Sequence, residues 1–86
     1  MIEDFKFLIG HEIEVYTLSI ELLELGCEDI LFLGNLEYIL DSGEMIVATD
    51  ESGDNNIRIL FDVTTEAIGG IDITDTVIYI KDITEY

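Results

Sequence analysis

Carboxylates dominate the side chains that could do chemistry in this 86-residue chain: 20 Asp or Glu stand against 3 Lys or Arg and one His. Pairs such as Glu12 with Glu14, or Asp72 with Asp75, have the spacing at which one acid donates a proton while the other accepts one. General acid–base work also needs a pocket that moves one pKa towards the working pH. A chain this short has little volume for such a pocket, and at this density carboxylate pairs arise by chance. No catalytic residue is assigned, and the chain is expected not to be an enzyme.

The stretch Asp50-Glu51-Ser52-Gly53-Asp54-Asn55-Asn56 places oxygen donors at alternate positions, as a calcium loop does. An EF-hand loop wants Gly sixth and Glu twelfth. Here Gly53 falls fourth and Phe61 twelfth, so the stretch reads as a polar hairpin loop. His11 follows Gly10 and reads as a turn residue. Cys27 has Glu21, Glu24, Glu28 and Asp29 as neighbours, which disfavour a thiolate and predict an inert thiol. Cys27 and His11 are too few for a zinc site. Gly69-Gly70 lacks the Lys and following helix of a phosphate cradle. No metal and no cofactor are expected.

The charge is the strongest signal. A net −17 opposes direct binding to nucleic acid or to an anionic membrane, which both need a positive surface. A folded chain is expected rather than a disordered one, because 49% of the residues are hydrophobic. With 15 isoleucines but only Lys6, Arg58 and Lys81 as cations, the scarcity of lysine reads as selection for negative charge. Area scaling gives a folded surface of roughly 5,000 Å², or about 300 Å² per net charge. Gathered on one half of the molecule, the density would be about 150 Å² per charge, near the roughly 100 Å² of duplex DNA.

That density points to a phosphate-backbone mimic. In composition and size the chain resembles phage-encoded DNA mimics of the anti-restriction and anti-CRISPR type. The resemblance implies a partner that is a basic nucleic-acid-binding protein, inhibited by occupation of its phosphate groove. The expected contact residues are Glu12, Glu14, Asp41, Glu44, Asp50, Glu51 and Asp54, with Tyr16 and Tyr38 as aromatic rim. The alternative is an acidic structural or assembly module of Sm-like barrel type acting through protein–protein contacts, its carboxylates spread as a solvated surface. Crowded carboxylates are expected to titrate high where like charges dominate.

No apolar run is long enough to span a bilayer. The acidic start Met1-Ile2-Glu3-Asp4-Phe5-Lys6 does not read as a secretory signal, and one cysteine permits no internal disulfide. The expected location is cytoplasmic, that of the host cell if the chain is phage-encoded.

Positioning these groups falls to short strands. Residues 1–86 read as one acidic, mainly β domain: a small antiparallel meander or curled barrel of five to six short strands after a short N-terminal helical turn. Ile2, Phe5 and Ile9 give that turn, which Gly10 ends. Glu12 to Thr17 alternates as a strand, and Leu18 to Leu25 is read as its continuation through a bulge. Asp29–Leu33 and Leu36–Leu40 read as a hairpin about Gly34-Asn35. Further strands follow at Met45–Thr49, Ile57–Val63 and Thr76–Asp82. The expected core holds Ile13, Val15, Phe32, Ile57, Ile59, Phe61, Ile78 and Ile80. Several strands, Val77 to Ile80 among them, are apolar on both faces, which predicts a helix cover, barrel closure or a homodimer.

Phe7-Leu8-Ile9-Gly10-His11-Glu12-Ile13-Glu14-Val15 resembles the opening of Sm-like small barrels, where a short helix leads through Gly into the first alternating strand. The resemblance is confined to the start of the chain and implies a small curled barrel. That family's acidic-Asn turn and basic Arg-Gly motif are absent, so RNA binding does not carry over.

Overall fold

The computed structural model describes residues 2–31, 36–65 and 75–86, with the backbone alone for 29–31, 36–38 and 65. The N-terminal turn is two short 3-10 turns, Ile2–Asp4 and Lys6–Leu8. Phe5 and Leu8, three residues apart, point from them into the core. Beyond Gly10 the chain is tied to the last strand: the Gly10 N–H donates to the Ile80 carbonyl at 2.8 Å, and the Ile80 N–H donates to the His11 carbonyl at 3.1 Å.

Strand β1 (Glu12–Glu14) is only three residues long, because the chain turns into helix α1 (Val15–Glu24) where the alternation predicts further strand. The reading of Glu12–Thr17 and Leu18–Leu25 as strand is thereby corrected. Val15, Leu18 and Leu22 recur at i, i+3, i+7 and are all buried, which is helical periodicity. A Schellman cap ends the helix: the Cys27 N–H donates to the Leu22 carbonyl at 3.0 Å, and the Gly26 N–H to the Leu23 carbonyl at 3.1 Å. Gly26 takes the positive φ of 90° that this motif needs. Cys27 and Leu22 are then both buried, the apolar contact that accompanies such a cap.

Strand β2 (Asp29–Leu31) follows, and then helix α2 (Leu36–Ser42), not the expected return strand. In the sequence Leu36, Ile39 and Leu40 stand at i, i+3, i+4 before Gly43, a helical face with a stop signal. Ile39 is buried and Leu40 half-buried. The proposed Gly34-Asn35 turn and the core residue Phe32 lie outside the described residues, as do the Gly69-Gly70 turn and Asp72. Strands β3 (Glu44–Ala48), β4 (Asn56–Thr65) and β5 (Val77–Glu85) fall where the alternation predicts them.

All pairings are antiparallel, in the order β1-β5-β4-β3-β2. Strands β2 to β5 lie side by side in chain order, and the short β1 adds to the far side of β5. Among the described residues the sheet is open, with β1 and β2 as its edges and helices on one face, and no closed barrel is seen. α1 and the N-terminal turns bury one face: Val15, Leu18, Leu22, Phe5 and Leu8 join Met45, Val47, Ile57, Ile59, Phe61, Ile78, Ile80 and Ile83 in one core. Ile13 packs half-buried against it. Register shifts let β5 serve this face along its length. Ile80 pairs with Phe61 but Asp82 pairs with Leu60, so Lys81 is the extra residue of a bulge. Ile78 and Ile80 before it and Ile83 after it therefore all reach the core, although their spacing breaks strict alternation. What β5 turns outward near Val77–Ile80 is Val77 and Tyr79.

Candidate acidic interaction face

The side of the sheet opposite this core carries carboxylates that the strands hold at fixed spacing, together with Ile46 and Ala48 of β3, which are buried. Ile13 pairs with Ile78 in the core, so its neighbours Glu12 and Glu14 project to the opposite, outer face. Glu12 pairs with Tyr79, and Tyr79 with Asp62, which makes one row across β1, β5 and β4. The next row is Asp82, Leu60 and Glu44 across β5, β4 and β3. Residues two apart along a strand are about 7 Å apart, and residues two strands apart about 10 Å. Glu12, Glu14, Glu44, Asp62 and Asp82 are all exposed. Two cations temper this face. Lys81 Nζ lies 3.3 Å from Asp62 Oδ1, and Arg58 Nε lies 3.6 Å from Glu44 Oε2. Arg58 also sits over the Tyr86 ring, 5.1 Å from its centroid.

An open groove of about 500 Å³ runs along this corner of the sheet, lined by Leu40, Asp41, Glu44, Leu60, Asp62 and Lys81 among others. Its position follows from a tight turn. Gly43, at φ 74°, leaves α2 and donates no side chain, while its carbonyl accepts the Phe61 N–H at 2.9 Å. A Cβ there would stand 3.2 Å from the Phe61 carbonyl oxygen. Ser42 Oγ donates to the Ile39 carbonyl at 2.9 Å and fixes the end of α2. The groove is shallow and mostly polar where it meets solvent, with Asp41, Glu44 and Asp62 along it and Lys81 among them.

The seven expected contact residues thus fall in three places. Glu12 and Glu14 lie on the β1 edge. Asp41 and Glu44 lie together at the α2–β3 corner. Asp50, Glu51 and Asp54 lie in the loop at the far end of β3, which spans about 17 Å. The first two groups share the outer face; the loop does not join them. The sequence reading omitted Asp62 and Asp82, although Asp62 stands in the polar phase of Ile57–Val63. It also omitted Tyr79, the aromatic that sits between Glu12 and Asp62. Tyr16 is exposed, but on α1, which covers the other face of the sheet; the Tyr38 side chain lies outside the described residues.

Asp50 is held by its own loop. Its Oδ1 accepts from Ser52 Oγ at 2.8 Å and from the Gly53 N–H at 3.0 Å, and its Oδ2 accepts from Asn55 Nδ2. The Ser52 and Asn55 bonds hold its carboxyl below its ordinary value, the opposite of the rise expected from crowding. This carboxylate organises the turn. Among the described residues no group of three or more His, Cys, Asp or Glu is arranged to hold a metal ion. Cys27 is buried, and burial pushes its thiol up, a stronger cause of low reactivity than the acidic neighbours read from the sequence. Among the described residues no helix is long and apolar enough to cross a membrane.

The accessible surface is 5150 Å², close to the area that chain mass alone implies. Exposed carboxylates also occur off the sheet face, at Glu3, Asp4, Glu24, Glu28 and Glu85, so acidity extends beyond one side. No family model, curated protein or solved structure matches this chain.

Proposed function

We propose that this protein is a non-enzymatic phosphate-backbone mimic that inhibits a basic nucleic-acid-binding protein, in the manner of anti-CRISPR or anti-restriction inhibitors. The observation that carries the reading is the outer sheet face. Glu12, Glu14, Glu44, Asp62 and Asp82 project from one sheet with spacings of about 7 Å and 10 Å. Held by strands, they need little reordering to meet a row of Arg and Lys. Arg pairs with carboxylate through the same planar fork that it offers phosphate. Asp41 borders the groove beside them. Specificity comes from Tyr79 and the shape of the sheet face, since charge alone binds any basic protein.

The test is paired charge reversal, Glu12→Lys with Glu14→Lys and Glu44→Lys with Asp62→Lys, against a panel of basic nucleic-acid-binding proteins. Each pair should weaken the bound member of the panel by roughly tenfold or more, with folding intact. Undiminished binding by both pairs would refute the mimic. The second reading, an acidic assembly module that acts through protein–protein contacts, is favoured by the apolar side chains exposed on α1.

A further inference from the structure

Arg58 shows how this sheet face holds an arginine. It is the only arginine in the chain. On β4 it alternates with the core residues Ile57 and Ile59, so it projects to the outer face. Its guanidinium lies over the Tyr86 ring, 5.1 Å from the centroid, and its Nε lies 3.6 Å from Glu44 Oε2. The ring meets the flat side of the guanidinium and the carboxylate meets its edge.

The same kinds of group surround Tyr79. It pairs with Glu12 of β1 on one side and with Asp62 of β4 on the other. Directly opposed residues on one face have Cβ atoms about 5 Å apart, so a carboxylate stands at each flank of the ring. Tyr79 Oη is 4.0 Å from the place a Cβ would take on Gly10, in the chain beside it. A hydroxyl so near the backbone means that the ring lies along the sheet and turns a face outward; the residue is 38% exposed. Glu12 and Asp62 are exposed as well.

The spacing favours one kind of cation. The Glu12 and Asp62 backbones are two strands apart, about 10 Å. A guanidinium donates from both edges, at about 2.8 Å to each carboxylate, so one laid on Tyr79 reaches both. An ammonium is a compact point charge and serves one of them, as Lys81 does with its Nζ 3.3 Å from Asp62 Oδ1. That contact leaves the other oxygen of Asp62 as an acceptor. Among the described residues the three Lys and Arg side chains pair with Glu3, Glu44 and Asp62, and none with Glu12.

We propose that Tyr79, Glu12 and Asp62 form a seat for one arginine side chain of the partner, and that this seat makes the outer face prefer arginine to lysine. The inference rests on the reading of that face as the surface that meets a basic partner, and it adds a selection that charge alone does not make. Tyr79 is the specificity-determining residue.

The experiment titrates the full chain at low salt with two short peptides of equal length and charge, one alternating Gly with Arg and the other Gly with Lys. Calorimetry gives the affinities and amide chemical shifts locate the site. The Arg peptide should bind about two- to fivefold tighter, the size of an exposed cation–π contact, with its largest shifts at Glu12, Tyr79 and Asp62. Tyr79→Leu should bring the two affinities together, and Tyr79→Phe, which keeps the ring, should preserve the difference; melting temperatures check that both variants fold. Equal affinities for the native chain, or an Arg preference that survives Tyr79→Leu, overturn the inference and leave phosphate mimicry standing, because mimicry needs only the charge. Failure of both peptides to bind at low salt overturns mimicry as well.

Discussion

Asp50 illustrates a carboxylate used for structure in a chain where carboxylates are abundant. Three donors from Ser52, Gly53 and Asn55 converge on it and close the β3–β4 loop. Because these bonds lower its folded pKa, its contribution to stability is present above the unfolded value, near 3.8, and is lost as pH falls through the folded one. Asp50→Ala should therefore destabilise the protein at about pH 7, and the difference from the native chain should shrink at about pH 2.5. Urea unfolding at the two values checks this. Gly43 carries a different constraint, a positive φ and a close approach to the Phe61 carbonyl. Gly43→Ala should cost about 1–2 kcal/mol in the same measurement, through backbone strain and crowding. The sequence places Asp50 in a polar hairpin loop. It could not show that Asp50 spends its acceptors inside its own loop, because the donors are assigned only by the loop's geometry.

At the scale of elements, β3, β4 and β5 were legible because each alternates or is continuously apolar between turn residues. α1 was obscured by its neighbour. The alternation of Glu12-Ile13-Glu14-Val15 runs into the helix without a break, and no side chain caps the junction at Glu14. The first helical N–H is instead satisfied by the Thr76 carbonyl at 3.0 Å, a contact remote in sequence. The stop signal at Gly26 was readable, and with Val15, Leu18 and Leu22 it outweighs the strand-like phase of Leu18, Ile20 and Leu22. Substitutions separate the two patterns. Leu22→Ala should cost about 3 kcal/mol, a core deletion, and Ile20→Ala about 1 kcal/mol or less. A strand would place the two on the same face and make their costs alike. The bulge at Lys81 was equally hidden, since only pairing with Leu60 and Phe61 reveals it. The outer acidic face was half legible for the same reason. Strand phase puts Glu12 beside Glu14, but register alone brings Asp62, Asp82 and Glu44 across to them.

For the whole molecule, a net charge of −17 on so small a surface makes self-repulsion a global term. Moderate salt at pH 7 should raise the melting temperature, because screening relieves repulsion between exposed carboxylates within a Debye length. A fall would show that the ion pairs of Lys6, Arg58 and Lys81 outweigh the repulsion. The same field governs association, where it favours basic partners and steers their approach. The most direct measurement of the proposed role is competition. A basic nucleic-acid-binding protein retained by this chain is titrated with duplex DNA, and release is followed at low and at moderate salt. The account predicts that DNA and this protein exclude one another from the basic groove and that both affinities fall steeply with salt. It also predicts that the Glu44→Lys, Asp62→Lys chain fails to displace DNA. A ternary complex in which the partner holds both at once, or binding indifferent to salt, would contradict it.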